Sequence, residues 1–176
     1  MKAYFTAALL CAVVTAIPAA NRQCSVVSSV SHTFYGIPDN DPAGSAATAY
    51  DCGGRNYIAG GVGTFSNPLT FAAAPGVFSQ CEVIYDPYVR KYIRYEDYCQ
   101  ACVDDWAKGI VRIDIFTGSN IAQESGYQDQ INCENALTPE LRSQKFVRNP
   151  ASNLVVDGIA LLLPGASETI LMLTKN

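Results

Sequence analysis

The sequence predicts one all-β domain, a barrel or a sandwich, that is stabilised by disulfides. Short runs rich in Val, Ile, Thr and aromatic residues alternate with turns rich in Gly and Pro, and helix-forming patterns are scarce. Six cysteines follow an apolar N-terminal segment, which is typical of an exported domain. With 176 residues and no visible repeat or linker, the chain is expected to bury a single core of its own.

The N-terminal segment has the features of a secretory signal. Lys2 precedes an apolar run, and small residues lie near its end. We assign residues 1–20 to the signal, with a short pro-segment to residue 22 as an alternative boundary, and residues 23–176 to the domain. No later segment offers the roughly 18 uninterrupted apolar residues that a membrane span needs. The chain is therefore expected to be secreted, extracellular and monomeric, without a membrane as partner.

The strands follow one another along the chain with turn-forming residues between them. Five segments are predicted as strands: residues 24–35, 67–74, 81–85, 91–98 and 111–116. The third and fourth form a hairpin around Asp86-Pro87, where Asp86 is predicted to be a turn residue. After a polar loop over residues 119–130, Thr138 is predicted to cap a helix that has Pro139 at its first position. Apolar patches beyond Leu154 predict one or two last strands.

The cysteines indicate disulfides. Cys11 lies inside the signal, and the remaining cysteines are an even set: Cys24, Cys52, Cys81, Cys99, Cys102 and Cys133. In an oxidising compartment this set predicts three disulfides, and the sequence leaves their pairing open. The Cys99-x-x-Cys102 spacing would also suit half of a zinc site, but a second such pair is missing and His32 is the sole histidine. We therefore expect no metal and no other cofactor.

The charge of the chain limits its partners. The formal net charge is −4, and it becomes more negative when Lys2 is removed with the signal. An acidic protein repels phosphate backbones, so nucleic acid is not expected as a partner. Strongly anionic polymers are disfavoured by the same argument, although less strongly.

Strand alternation points to Asp97 as a candidate site residue. Along residues 91–98, Asp97 falls on the face of Ile93 and is predicted to point inward, whereas Glu96 is predicted to face solvent. A carboxyl on an apolar face is costly unless it is hydrogen-bonded or functional. The alternative for Asp97 is a structural one, in which it accepts backbone N–H bonds from the loop that contains Cys99.

A second carboxyl follows after the Cys-x-x-Cys loop. Asp114 lies between Ile113 and Ile115, on the face opposite to theirs. Two carboxyls thus occupy neighbouring strands with a disulfide-competent loop between them. A raised carboxyl pKa is what general-acid chemistry needs near neutral or mildly acidic pH.

The other candidates have competing structural explanations. Asp104 and Asp105 suit the capping of a short helical turn. Asp39 lies in a turn-rich loop, and beside Tyr35 it could also reach a cleft. Aromatic faces could stack on sugar rings, although most aromatic residues are equally well explained as core or sheet-surface residues. A Ser/His or Cys/His nucleophile is poorly supported by a chain with one histidine and no Gly-x-Ser-x-Gly.

The order of these elements resembles the double-psi β-barrel superfamily. The matching features are a strand ending in Asp97, a Cys-x-x-Cys loop and the strand Arg112-Ile113-Asp114-Ile115-Phe116. This superfamily includes barwin-like proteins, expansins, rare lipoprotein A and family-45 endoglucanases, and the closest resemblance is to the three-aspartate domain of wall-lytic enzymes such as lytic transglycosylase A. The resemblance covers residues 33–119, and it departs in a longer loop between the two aspartates and in the missing third aspartate. It implies a mainly β, six-stranded double-psi barrel with short helices in its loops.

The resemblance also implies a function. The chain is similar to small secreted proteins of fungal style, and we expect a glycosidase that acts on cell-wall polysaccharide, by muramidase-like or lytic cleavage of peptidoglycan or of another β-1,4-linked glycan. Asp114 would be the general acid and Asp97 the base or the group that stabilises the transition state. Substrate contacts are assigned to four further residues: Tyr35, Asp39, Tyr95 and Trp106. The alternative is a non-catalytic wall-binding or effector protein of barwin or expansin type.

Overall fold

A computed structural model of the chain describes residues 23–118 and 124–162, with the side chains of 124–127 excepted. The predicted signal and pro-segment, residues 1–22, lie outside this part. Six strands are present: β1 (Ser25–Tyr35), β2 (Leu69–Ala73), β3 (Val83–Asp86), β4 (Lys91–Tyr98), β5 (Arg112–Phe116) and β6 (Gln144–Arg148). Two helices accompany them, α1 (Gln100–Trp106) and α2 (Glu124–Leu137). Within the described residues, no helix is long and apolar enough to cross a membrane.

The six strands close into a barrel in the order β1-β5-β2-β4-β3-β6. The pairs β1/β5 and β2/β4 are parallel, and the other four pairs are antiparallel. Closure leaves no strand with an unpaired edge. The prediction of a mainly β, six-stranded, disulfide-containing barrel is confirmed, and all five predicted strands lie within two residues of those observed.

The barrel interior is filled by side chains that alternate along each strand, as the pleat requires. They are almost fully buried: Val30, Phe34, Leu69, Phe71, Ile84, Ile93, Tyr95, Ile113, Ile115 and Phe146. Removing each of these from water contributes roughly 1.5–3 kcal/mol before entropy is counted. A second, smaller cluster that includes Tyr35, Ala72 and Phe116 lies on the outer face of the wall, beneath the loops.

The interior also contains a histidine and a carboxyl that face each other. His32 of β1 faces Asp86 at the end of β3, with Nδ1 and Oδ2 3.3 Å apart and both side chains completely buried. Burial lowers the pKa of His32 to about 4 and raises the pKa of Asp86 to about 7. The other carboxylate oxygen of Asp86 accepts the backbone N–H of Tyr88 at 2.8 Å, so the predicted turn role of Asp86 is confirmed.

The structure corrects three predictions in the C-terminal part. Residues 119–130 were expected to be a loop, but α2 begins at Glu124. Thr138 does not start a helix: it follows the end of α2, where its N–H and hydroxyl both donate to the carbonyl of Glu134. Pro139 then stops the helix, since proline cannot continue the backbone hydrogen bonds. From Leu154 to residue 162 the chain forms no strand and is held instead by side chains, such as Tyr85, whose hydroxyl donates to the carbonyl of Val155. The last apolar patch, residues 170–173, lies outside the described residues.

Two of the three expected disulfides are formed. Cys52 is bonded to Cys81, and Cys99 to Cys102. The expectation of a third bridge is wrong, because Cys24 and Cys133 are free thiols. Cys24 lies exposed before β1, whereas the Sγ of Cys133 on α2 contacts the carbonyl of Leu161, so the two thiols occupy different environments.

Candidate functional site

A row of four residues crosses the outer face of the barrel wall. The strand register pairs Thr33 of β1 with Asp114 of β5, Asp114 with Ala72 of β2, and Ala72 with Asp97 of β4. Paired residues point to the same face of a sheet, and Ile113, the neighbour of Asp114, points into the barrel. The methyl group of Ala72 therefore lies between the two carboxyls and leaves open space above it.

A β-bulge in β4 brings Asp97 to this face. Phe71 pairs with Tyr95, and the next residue of β2 pairs with Asp97, so Glu96 is the extra residue of the bulge. Tyr95 and Ile93 point into the barrel. The prediction that Asp97 shares the inward face of Ile93 is wrong, because the extra residue reverses the alternation.

Strand alternation predicted that Glu96 faces solvent. This prediction is also wrong, because Glu96 is only 1% accessible. It lies between two guanidinium groups, with Arg55 at 2.9 Å and Arg94 at 2.6 Å from its carboxylate oxygens, and the hydroxyl of Thr70 donates to it. Arg55 belongs to the long loop between β1 and β2. This buried ion network therefore holds that loop against the barrel beside the bulge.

The two aspartates open onto one cleft of about 400 Å³. Its floor consists of Ala72, Asp97 and Asp114, and Tyr35 and loop residues 39–41 and 47–49 form one side. Residues 98–101, which include Cys99 of the Cys-x-x-Cys motif, form the other. Four of the six residues expected at the site, Asp97, Asp114, Tyr35 and Asp39, are thus brought together.

Asp97 is nearly buried and fully hydrogen-bonded. Its Oδ1 accepts the backbone N–H groups of Ala49 at 2.9 Å and Tyr98 at 2.8 Å, and its Oδ2 accepts the hydroxyl of Tyr35 at 3.2 Å. Burial raises the pKa of Asp97, and these three hydrogen bonds oppose that rise. Asp97 thus accepts backbone N–H bonds, as the alternative interpretation expected, but the donors are Ala49 and Tyr98 rather than residues of the Cys99–Cys102 loop.

Asp114 has different surroundings. It is partly exposed in the cleft, and its Oδ1 is shielded from solvent without a hydrogen-bond partner among the described residues. Burial raises the pKa of Asp114 to about 6, the charges of Asp39 and Asp97 raise it as well, and the hydroxyl of Thr33 lowers it. Asp114 is thus the carboxyl of the cleft that can hold a proton and give it up near neutral pH.

Helix α2 lies behind the cleft and adds a carboxyl that the sequence did not reveal. Glu134 accepts hydrogen bonds from Thr117 and Gln130, both at 2.9 Å, and burial raises its pKa to about 7. A Cβ at Gly36 would lie 1.7 Å from the amide nitrogen of Gln130, so a larger residue at this position would displace the side chain of Gln130. Gly36 also donates its N–H to Asp39 at 2.8 Å, which fixes the loop carboxyl at the edge of the cleft.

Two of the expected substrate contacts lie elsewhere. Tyr95 is buried inside the barrel, where its ring contacts Phe71 and Phe78. Trp106 is exposed at the end of α1 and does not line the cleft. An aromatic residue that the sequence analysis did not select, Tyr98, does line it with 46% of its surface accessible. Its position at the end of a strand, directly before a disulfide loop, is the sequence signal that could have identified it.

The cleft is acidic. Asp39, Asp41, Asp97 and Asp114 line it, and none of the described lining residues carries a positive charge. Within the described part of the chain, no group of three or more His, Cys, Asp or Glu side chains is arranged to hold a metal ion. The arrangement suits proton transfer and the stabilisation of positive charge.

These features define a class of protein: a disulfide-containing, six-stranded mixed β-barrel with an acidic cleft on the outside of its wall. Comparison with known proteins adds a family. The chain belongs to the family described as the DDB_G0273701 N-terminal domain, whose profile matches residues 27–168.

A relative in this family is the uncharacterized protein DDB_G0273701/DDB_G0273221 of Dictyostelium discoideum. It is 36% identical over 129 residues, which are 73% of this chain and 53% of the relative. The chain thus spans about half the length of the curated relative that it matches. No solved structure shows a significant match to the chain.

Proposed function

We propose that the protein is a secreted, extracellular glycosidase that cleaves cell-wall polysaccharide, with peptidoglycan as the first substrate to test. The observation that carries this proposal is the pair of carboxyls in one cleft, of which Asp114 has a pKa raised to about 6 and Asp97 is held by three donors. Glycoside hydrolysis needs this combination of one protonated and one ionised carboxyl.

The roles follow from the surroundings of each carboxyl. Asp114 protonates the glycosidic oxygen, because its shielded Oδ1 accepts no hydrogen bond that would stabilise the charged form. Asp97 remains ionised and stabilises the positive charge of the oxocarbenium-like transition state. Tyr35 holds the carboxylate of Asp97 in place, since its hydroxyl has a raised pKa and stays a donor.

The backbone spacing of the two carboxyls bears on the mechanism. Asp97 and Asp114 are two strand spacings apart through Ala72, which corresponds to about 9–10 Å between their Cα atoms. Retaining enzymes hold their carboxyl groups about 5–5.5 Å apart, and inverting enzymes about 6.5–9.5 Å. Because side chains on one sheet face can converge or diverge, inversion, retention and a lytic reaction in which a hydroxyl of the substrate attacks are all compatible with this spacing, and the stereochemistry of the products would separate them.

Two finer assignments belong to this proposal. The closed barrel with its parallel pairs β1/β5 and β2/β4 supports a double-psi topology. The two disulfides support an oxidising compartment and hence secretion.

One observation favours a second candidate, a non-catalytic wall-binding protein. Asp97 is satisfied by two backbone N–H groups and Tyr35, which is how a structural carboxylate would be bound. In this case the cleft would bind a glycan strand without cleaving it.

The deciding experiment follows the turbidity of a peptidoglycan suspension between about pH 4 and 7. The mature protein is compared with Asp114→Asn, Asp97→Asn and Asp129→Asn, the last being an exposed carboxyl on α2 outside the cleft. Clearing by the native protein and by Asp129→Asn, but not by folded Asp114→Asn, is expected. Co-sedimentation with peptidoglycan, chitin or cellulose without clearing would establish the second candidate, and neither clearing nor co-sedimentation would refute both.

A further inference from the structure

The Cys99–Cys102 disulfide forms part of the wall of the acidic cleft. Cys99, Gln100 and Ala101 all line this cleft, directly after Asp97 and Tyr98. The bridge joins cysteines only three positions apart. A disulfide that closes so short a loop constrains the unfolded chain less than a long-range one, so its presence beside a cleft calls for another explanation than stability.

The two sulfurs of this bridge are in unequal positions. Cys102 is completely buried, whereas Cys99 is 8% accessible and lines the cleft. A thiol that enters the cleft therefore meets Cys99 first. Thiol–disulfide exchange depends strongly on which sulfur can be attacked.

The backbone is arranged to stabilise a thiolate on the accessible sulfur. The N–H of Cys102 donates to the Sγ of Cys99 at 3.0 Å. After reduction the same N–H would donate to a charged sulfur, and hydrogen bonds to ionised acceptors are about twice as strong as neutral ones.

From this geometry we propose that the Cys99–Cys102 disulfide is redox-active and exchanges with external thiols through the cleft. The thiolate of a low-molecular-weight or peptide thiol attacks the Sγ of Cys99, forming a mixed disulfide. The Cys99–Cys102 bond breaks, and the Sγ of Cys102 leaves as a thiolate that takes a proton. A second thiol then attacks the external sulfur of the mixed disulfide and releases Cys99. The protein gains two electrons, and two thiols are oxidised to one disulfide. In the reverse direction, the Cys99 thiolate attacks an external disulfide.

The other disulfide serves as an internal reference. Cys52–Cys81 links segments 29 positions apart, and neither cysteine lines the cleft. Cys52 is 2% accessible and lies against the carbonyl of Tyr95. Cys81 is partly exposed at the surface, so this bridge differs from Cys99–Cys102 in its long loop and in its distance from the cleft rather than in burial.

The first experiment measures the order in which the two bridges open. The free thiols of the full mature protein are blocked with N-ethylmaleimide, and the protein is equilibrated in glutathione buffers of decreasing redox potential. New thiols are labelled with iodoacetamide, quantified at each cysteine by peptide mass spectrometry, and the fold is followed by circular dichroism. We expect Cys99 and Cys102 to be labelled in buffers that leave Cys52 and Cys81 unlabelled and the fold intact. Opening of both bridges together, or of Cys52–Cys81 first, would overturn the proposal.

The second experiment tests which sulfur is attacked. In Cys102→Ser the remaining Cys99 is expected to form a mixed disulfide with oxidised glutathione at least about tenfold faster than Cys102 does in Cys99→Ser, since only the accessible thiol can react. Equal rates would contradict the assigned roles. If neither variant folds, the order of opening in the native protein decides alone. The proposal does not depend on glycan cleavage, because neither experiment contains a polysaccharide.

Discussion

Asp114 and Asp86 are carboxyls in two regions of the molecule that differ in access. Asp114 lies on the outer face of the barrel wall and opens onto the cleft, whereas Asp86 lies inside the barrel against His32. Burial raises the pKa of both, to about 6 and about 7. A raised pKa therefore does not distinguish a site from a structural pair in this protein. What distinguishes them is the cleft, since only Asp114 can meet a substrate.

The neighbours of the two carboxyls lead to the same conclusion. The interior pair is sealed by aromatic rings, with Tyr88 6.1 Å from the ring of His32. The cleft carboxyl has Ala72 beside it, which leaves room for a ligand. We infer that the interior pair affects stability and that the cleft pair affects activity, and each of the following variants tests this separation.

The largest effect is expected from Asp114→Asn. If Asp114 is the general acid, its loss should lower kcat about 10²–10⁴-fold on any glycan that the protein cleaves. Stability should not fall, because the amide removes a carboxyl whose charged form is penalised by burial. Rates of glycan cleavage and urea unfolding would be measured on the same sample. A variant that unfolds more easily in proportion to its lost activity would show that Asp114 is structural.

Asp86→Ala is expected to show the opposite behaviour. The substitution leaves a buried cavity, removes the partner of His32 and frees the N–H of Tyr88, which together should cost about 2–4 kcal/mol of unfolding free energy. Activity per folded molecule should remain unchanged. Urea unfolding gives the free energy, and Asp86→Asn, which keeps the shape of the side chain, should lose less. Loss of activity in a fully folded Asp86→Ala sample would contradict the separation.

The division between the interior pair and the cleft carboxyls could be predicted in part from the sequence. The hairpin around Asp86, the strand 91–98 and the Ile-Asp-Ile strand were predicted with nearly correct bounds, since they are rich in β-branched and aromatic residues and are bounded by turn-forming residues. The convergence of Asp97 and Asp114 followed from the resemblance to known barrels. The interior position of His32 was not predicted, because strand 24–35 has no clear polar and apolar faces.

Two other features could not be predicted for physical reasons. The bulge at Glu96 is one extra residue that fits because Arg55 and Arg94 bind its carboxylate, and Arg55 is 41 positions away in sequence. Helix α2 has a weak apolar pattern, and its buried polar residues Gln130 and Glu134 lie beside Gly36 and Thr117 of other segments. The bulge and helix α2 both depend on contacts between segments that are distant in sequence, and a local sequence pattern contains no information about such contacts.

The two members of the interior pair contribute to stability with opposite dependence on pH. Asp86, whose pKa is raised, contributes stability below its unfolded pKa and loses it as pH rises toward about 7. His32, whose pKa is lowered, contributes stability above its unfolded pKa and loses it as pH falls toward about 4. Between these values the folded pair holds one proton on Asp86, and the unfolded pair holds one on His32. The contribution of the pair should therefore be almost independent of pH.

Single substitutions should reveal the opposing contributions of His32 and Asp86 to the slope of the unfolding free energy against pH. In Asp86→Asn only His32 titrates, so stability relative to the native protein should rise with pH, by at most about 1.4 kcal/mol per unit. In His32→Asn only Asp86 titrates, and relative stability should fall with pH by a similar slope. Urea unfolding at several values between about pH 4 and 7 measures both differences, and the cleft carboxyls cancel because they are common to all three proteins. If the unfolding free energies of the native protein and both variants change with pH in parallel, the interior pair does not titrate in this range.

The pH dependence of activity should reflect the cleft alone. A general acid must be protonated when substrate binds, so kcat/KM should fall as pH rises through the pKa of Asp114, about 6. Each further pH unit should lower kcat/KM about tenfold, because the protonated fraction falls by that factor.

Thr33→Val provides a sharper test. The hydroxyl of Thr33 lowers the pKa of Asp114, so its removal should move the descending limb of the pH profile of kcat/KM to higher pH. Because His32 and Asp86 are sealed from the cleft, Asp86→Asn should leave this limb where it is. A limb that moves in Asp86→Asn and stays fixed in Thr33→Val would assign the titration to the interior pair, and access would then no longer separate the two regions.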